Sequence, residues 1–201
     1  MIETKSDQIR SFIAIELPTQ VKAELKILQQ AWKGANSGIV KWVNPDGIHI
    51  TLKFLGNIDL KQVDKITEII KLSCQKIQPF TLQLQGTGAF PNLRRVQVVW
   101  IGVIGELPAL QELFSNIEAN LSKIGFPAEG RGFVPHITLA RVRENASMSE
   151  RQALGELINR TKIEKSLNIE VKSINLMRSD LTRTGARYTL LGSVELKPSC
   201  Q

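Results

Sequence analysis

Ile48-His49-Ile50-Thr51-Leu52-Lys53-Phe54 alternates apolar and polar side chains at every step, and its tetrapeptide His-Ile-Thr-Leu returns at His136-Ile137-Thr138-Leu139. Successive side chains of a strand point to opposite faces. The first stretch therefore predicts a strand with Ile48, Ile50, Leu52 and Phe54 toward a core and His49, Thr51 and Lys53 on the other face. By the same parity Ile137 and Leu139 share one face of a second strand, and His136 and Thr138 share the other. The 201 residues contain only these 2 histidines. At an average usage of roughly 5% per residue type, three chance matches after a histidine have a probability near ~10⁻⁴. The recurrence marks a duplicated element.

Around the first motif, Ile9 to Leu17 reads as a β-branched and aromatic strand, Pro18 stands where a helix can begin, and Val21, Leu25, Leu28 and Trp32 follow at helical spacing. Gly34 to Gly38 predicts a break. Val40 to Val43 and Ile48 to Phe54 predict strands paired antiparallel around an Asn-Pro-Asp-Gly turn, the second closed by Gly56-Asn57. Asp59 is placed to cap a helix carrying Val63, Ile66, Ile70, Cys74 and Ile77 on one face. Phe80, Leu82 and Leu84 alternate as in a half-buried strand, Gly86 to Asn92 predicts a loop, and Arg95 to Val103 is apolar enough for a central strand.

A helix over Leu110 to Ile124, stopped by Gly125, leads to the second motif strand, Phe133 to Val142. Ser147 and Glu150 have the spacing of a capping box for a helix ending at Arg160. Leu167 to Met177 and Tyr188 to Leu196 predict strands joined by a turn at Ser179 to Gly185. Helices thus alternate with strands that pair antiparallel, which predicts an α+β fold of two similar lobes. The interval between the motifs suggests duplication of a strand–helix unit, and no linker separates the halves. Residues 1–201 are expected to form a single bilobal domain, each lobe contributing one motif, 49–52 and 136–139.

Composition narrows the class. With 42% apolar and 22% charged residues the chain is an ordinary globular protein, not a collagen-like, low-complexity or disordered one. A net charge of +7 favours anionic partners such as phosphates or nucleic acid, and 8 of the 11 arginines, the better bidentate phosphate ligands, fall in the second half. Cys74 and Cys200 cannot build a disulfide framework, which points to a reducing cytoplasm. The polar start, MIETKSDQIR, and the short apolar run Val96 to Ile104 predict neither export nor membrane insertion.

Each motif presents an imidazole beside a hydroxyl. Two imidazoles, able to hold or release a proton near neutral pH, make a complete acid–base pair, and the threonines can donate to non-bridging phosphate oxygens between them. The set suits phosphodiester cleavage without a metal. Two histidines with no nearby cysteine, no His-x-x-x-His helix and no clear carboxylate cluster make a poor zinc set. Gly86-x-Gly88 lacks the third glycine of a dinucleotide loop, and a serine triad would leave the repeat unexplained.

His49-Ile-Thr-Leu-Lys-Phe-Leu-Gly56 and Pro135-His-Ile-Thr-Leu-Ala-Arg141 resemble the paired HxTx signatures of the two-histidine phosphoesterases, specifically the bacterial RNA 2′,3′-cyclic phosphodiesterases of the LigT or ThpR type. Phe12-Ile-Ala-Ile15, Trp42, Pro45, Gly88-x-Phe-Pro91, Arg95-Val96, Trp100 and Arg131-x-Phe133 extend the likeness through most of the chain. The resemblance implies antiparallel sheets lining a cleft with helices outside, and hydrolysis of a terminal 2′,3′-cyclic phosphate on RNA to a 2′-phosphomonoester. It implies no metal and no cofactor. The two motifs are too alike to order acid and base by themselves; the resemblance makes His49 the proton donor and His136 the acceptor, with Thr51, Thr138 and Arg141 holding the phosphate. Strict alternation turns Arg141 away from His136, so a bulge or the strand end has to redirect it. Lys53, Phe133 and Trp42 are candidate RNA contacts, the aromatics through base stacking. The expected partner is an RNA or oligonucleotide with a cyclic phosphate end, met by a cytoplasmic monomer without an obligate protein partner. The alternatives are 2′–5′ RNA ligation in the same pocket and non-catalytic binding of RNA ends.

Overall fold

A computed structural model describes residues 8–198 apart from 37, 131, 162, 164–166 and 183–184. Arg131 and Cys200 lie outside the described residues. The elements run β1 (Gln8–Glu16), α1 (Thr19–Asn36), β2 (Val40–Trp42), β3 (His49–Asp59), α2 (Val63–Cys74), β4 (Phe80–Phe90), β5 (Val98–Gly105), α3 (Leu107–Ser122), β6 (His136–Val142), α4 (Met148–Arg160), β7 (Leu167–Val171), β8 (Ser173–Thr182) and β9 (Gly185–Glu195). One sheet of 9 strands has the order β7-β4-β5-β6-β3-β1-β8-β9, with β2 added to β6. All its described pairings are antiparallel. The α+β class and its two matching lobes are therefore present: the unit β1-α1-β3-α2 is repeated as β5-α3-β6-α4 on either side of the β3/β6 seam.

The sheet has to curl. β7 ends one side of it and β8 lies one strand from the other, yet only Lys172 separates them in the chain. A residue spans at most about 3.6 Å, so the two ends are drawn together. The apolar faces of the four helices cover one surface: Val21, Leu25 and Trp32 of α1, Ile66 and Ile70 of α2, Leu110, Leu113, Ile117 and Leu121 of α3, and Leu154 and Ile158 of α4 share a core with Ile13, Ile50, Leu52, Ile137 and Leu139 of the sheet. A second, small cluster of Phe12, Ala14 and Met177, with Tyr188 against it, forms separately. No helix among the described residues is long and apolar enough to cross a membrane.

Several expected boundaries shift, each for a local reason. α1 continues through Gly34 to Asn36, so the break starts later than its glycine suggested. β2 pairs with β6, not with β3 (Val40 opposite Val142, Trp42 opposite Ala140), because the single 3₁₀ turn Pro45–Gly47, capped by Asn44, sets β2 and β3 end to end along one edge of β6. Gly56 and Gly86 do not end their strands. Each takes a left-handed φ, 71° and 69°, at a register shift, and the strand runs on to Asp59 or Phe90. Leu167 to Met177 divides at Lys172 into two strands serving opposite ends of the sheet, and β8 reaches Thr182 where a turn was expected. Ser147 and Glu150 form the expected capping box on α4, whereas the box of Asp59 and Gln62 caps a 3₁₀ turn, Leu60–Gln62, that leads into α2 and not α2 itself.

Candidate active site

β3 and β6 lie side by side with Ile50 opposite Ile137. This antiparallel register sets His49 across from Thr138 and Thr51 across from His136, and residues directly opposite point to the same side. Ile50, Leu52, Ile137 and Leu139 are buried, whereas the two histidines and two threonines are half-buried on the other face. The two motifs thus form one four-residue cluster across the seam of the sheet.

Both imidazoles are held alike. His49 Nδ1 lies 2.8 Å from the Gly47 carbonyl oxygen, and His136 Nδ1 lies 2.7 Å from that of Val134. A carbonyl only accepts, so Nδ1–H donates in each case and Nε2 is left to exchange a proton. The aromatic surroundings differ. Phe12 stacks on His49 at 4.6 Å between ring centres, with the Tyr188 ring edge-on at 5.1 Å. His136 meets Phe90 and Trp100 edge-on at 5.0 and 6.4 Å. Two glycines make room: a Cβ on Gly47 would come within 3.0 Å of Tyr188, and one on Gly88 would overlap the Trp100 ring. Burial, the dominant cause, removes water from the His49 cation and lowers its pKa to about 4; the Gly47 carbonyl opposes this and Lys22 adds to it. Burial likewise raises the Tyr188 phenol, against the charges of Arg141 and Arg10.

Each motif strand carries a bulge at its leucine. Opposite β1, Thr51 and Lys53 face Ala14 and Ile13, leaving Leu52 as the extra residue; opposite β5, Thr138 and Ala140 face Trp100 and Val99, leaving Leu139. The bulge flips the parity that follows. Arg141 is exposed and lines a cleft of about 700 Å³ together with His49, Lys41, Trp42, Arg187 and Tyr188. His136, Thr51 and Thr138 lie on the same sheet face but outside the wall of that cleft.

The same flip overturns the expectation for Lys53 and Phe54. Lys53 is 3% exposed, its Nζ 2.7 Å from Glu118 Oε1 on α3 and donating to the Pro127 carbonyl at 2.7 Å, so it serves the core and is not an RNA contact. Phe54, expected inside, is 57% exposed at the position matching Arg141. Of the two aromatic candidates, Trp42 stands in the cleft wall against Trp32, while Phe133 lies flat on Phe114 of α3 at 4.3 Å, one ring face covered. The sequence assigns no site role to Phe12, Phe54, Phe90, Trp100 or Tyr188, although Phe12, Phe90 and Trp100 belong to the stretches that carry the likeness. The repeat itself carried a signal for Phe54: a bulge required to turn Arg141 has to turn Phe54 as well.

Residues 18–183 match the family model described as the 2′-5′ RNA ligase superfamily. The chain is 33% identical to the RNA 2′,3′-cyclic phosphodiesterase of Methanothermobacter thermautotrophicus, over 90% of this chain and 96% of that protein. It is 34% identical to the protein of the same name from Methanocaldococcus jannaschii, over 91% and 98%. Its fold superposes on E. coli LigT in apo form with a TM-score of 0.74 at 26% identity, covering 96% of this chain and all of that one.

Proposed function

The chain belongs to the 2′-5′ RNA ligase superfamily, and from that premise we propose that it is an RNA 2′,3′-cyclic phosphodiesterase, a hydrolase that opens a terminal cyclic phosphate to a 2′-phosphomonoester. The observation that carries this reading is the β3/β6 register, which sets two identical imidazole–hydroxyl pairs on one face of adjacent strands.

In this reading the cyclic phosphate lies over the seam, with Thr51 and Thr138 donating to its non-bridging oxygens and Arg141 neutralising its charge. His136 Nε2 takes a proton from water as the water oxygen bonds to phosphorus. The bond from phosphorus to O3′ breaks, and His49 Nε2 gives its proton to that leaving oxygen. The phosphodiester anion first raises the His49 pKa toward its ordinary value, because an adjacent negative charge favours the imidazolium. A cation formed in so apolar a surround is then a ready donor. Phe54 and Trp42 offer ring faces to the ribose or base on either side of the phosphate. The positive surface meets RNA; since one chain supplies both motifs, a monomer suffices, and the two cysteines, unable to build a disulfide framework, fit the cytoplasm.

A 5′-hydroxyl in place of the attacking water would give a 2′–5′ linkage by the same proton transfers, which makes ligation the second reading, consistent with the superfamily's description. Phosphorus NMR of the product from a cyclic-phosphate-ended oligonucleotide tests both. A 2′-monoester, with one oxygen derived from labelled water, supports hydrolysis; joined strands support ligation. Unchanged substrate, bound equally by a variant with both histidines replaced by alanine, would leave only an RNA-end binder.

A further inference from the structure

We propose that Gln29, on α1 and outside the cleft, is a positioning residue for Arg141. The proposal rests on Arg141 being the phosphate ligand. Arg141 reaches the site face only because Leu139 is looped out of register with β5. The carbonyl of that same leucine accepts from Gln29 Nε2 at 3.1 Å and from the Val43 amide at 2.9 Å, and Gln29 Nε2 also donates to the Val43 carbonyl at 2.9 Å. One amide therefore ties the bulge to the residue that follows β2, two positions from Lys41, which pairs with Arg141. Lys41, Trp42, Val43 and Arg141 all line the cleft.

Gln29 is fully buried, and its neighbours on the inner face of α1 are the apolar Leu25 and Trp32. Both of its contacts are to carbonyls, which fixes the nitrogen's place and leaves Oε1 without a hydrogen-bond partner among the described residues. A buried orphan acceptor weakens a fold, so packing alone favours an apolar side chain of similar volume here. The bulge explains the amide. The equivalent bulge on β3 has an equivalent brace from the opposite half: Lys53, the residue after Leu52, is held by Glu118 of α3. Each half of the molecule thus holds the parity flip of the other.

Gln29→Met keeps the volume and removes the donor, and Gln29→Asn keeps the amide and shortens its reach, so either folded variant is a test. The expected result, measured well below the unfolding temperature, is a loss of ~10²-fold in kcat/KM, the scale set by a misplacement of about 1 Å. Competitive inhibition by inorganic phosphate should weaken with it. Combined with Arg141→Ala, the change at Gln29 should cost nothing further, since the group it positions is gone. A merely structural role would lower the melting temperature and leave these ratios alone. Wild-type kcat/KM in a folded Gln29 variant, or losses that multiply in the double variant, would overturn the proposal. Wild-type kinetics for Arg141→Ala would instead overturn the phosphate reading on which it stands.

Discussion

In the free protein the faces that would hydrate the His49 cation are taken by Phe12 and Tyr188, and this sets the direction of its pH response. Unfolded, the imidazole binds a proton below about 6.5; folded, it does so only near 4. Between those values the unfolded chain holds more protons, so stability present above pH 6.5 is lost as pH falls toward 4. Titration of the His49 ring by NMR should give a midpoint near 4 that moves upward when inorganic phosphate is added; Phe12→Ala should raise the midpoint of the free protein. Lys53 makes an independent test of a residue that strand parity alone assigns to the wrong face. Lys53→Met strands the Glu118 carboxylate and should destabilise by ~3–5 kcal/mol in denaturant melts, whereas Lys53→Met with Glu118→Leu should recover most of that loss. Alternation could not reveal the burial of Lys53, because a single inserted residue exchanges the two faces.

At the scale of elements, helices were the most legible. Their apolar stripes at 21-25-32, 66-70-74 and 110-113-117-121 are buried as spaced, and the Ser147–Glu150 capping box forms where its residues stand, while Asp59 caps the 3₁₀ turn ahead of α2. Ser147→Ala should therefore cost ~1 kcal/mol of stability, read from the denaturation midpoint, with activity unchanged. Strands were legible in existence and less so in length, for a physical reason. Gly56 and Gly86 are residues that either end a strand or bulge it, and which of the two happens depends on a partner strand distant in sequence. The pairing of β2 with β6 is of the same kind, since the carbonyls that hold Val40 to Val43 belong to residues nearly a hundred positions away. The pair of aromatic surrounds is likewise a property of curled strands, invisible to spacing. Gly88→Ala should push Trp100 toward His136 and lower kcat with little change in fold, measured by kinetics beside circular dichroism.

For the whole molecule, the repeated motif is the reason that the candidate site is legible in the sequence. Two copies of one motif strand meet at the seam of a single curled sheet, so four residues named from parity, His49, Thr51, His136 and Thr138, fall on one face. The charge of +7 adds an ionic contribution to binding, and KM for a long RNA should rise with salt more steeply than KM for a cyclic mononucleotide. If the two imidazoles supply both proton transfers, turnover should survive a chelator; loss with EDTA and recovery with zinc would require a different mechanism. The most direct test compares single-turnover hydrolysis of a cyclic-phosphate-ended oligonucleotide by the unmodified protein, His49→Ala, His136→Ala and the double variant. Acid and base acting in one step predict that each single change lowers the rate by ~10²–10⁴-fold and that the double change lowers it by far less than the product of the two. A wild-type rate from either single variant would contradict the paired-histidine account.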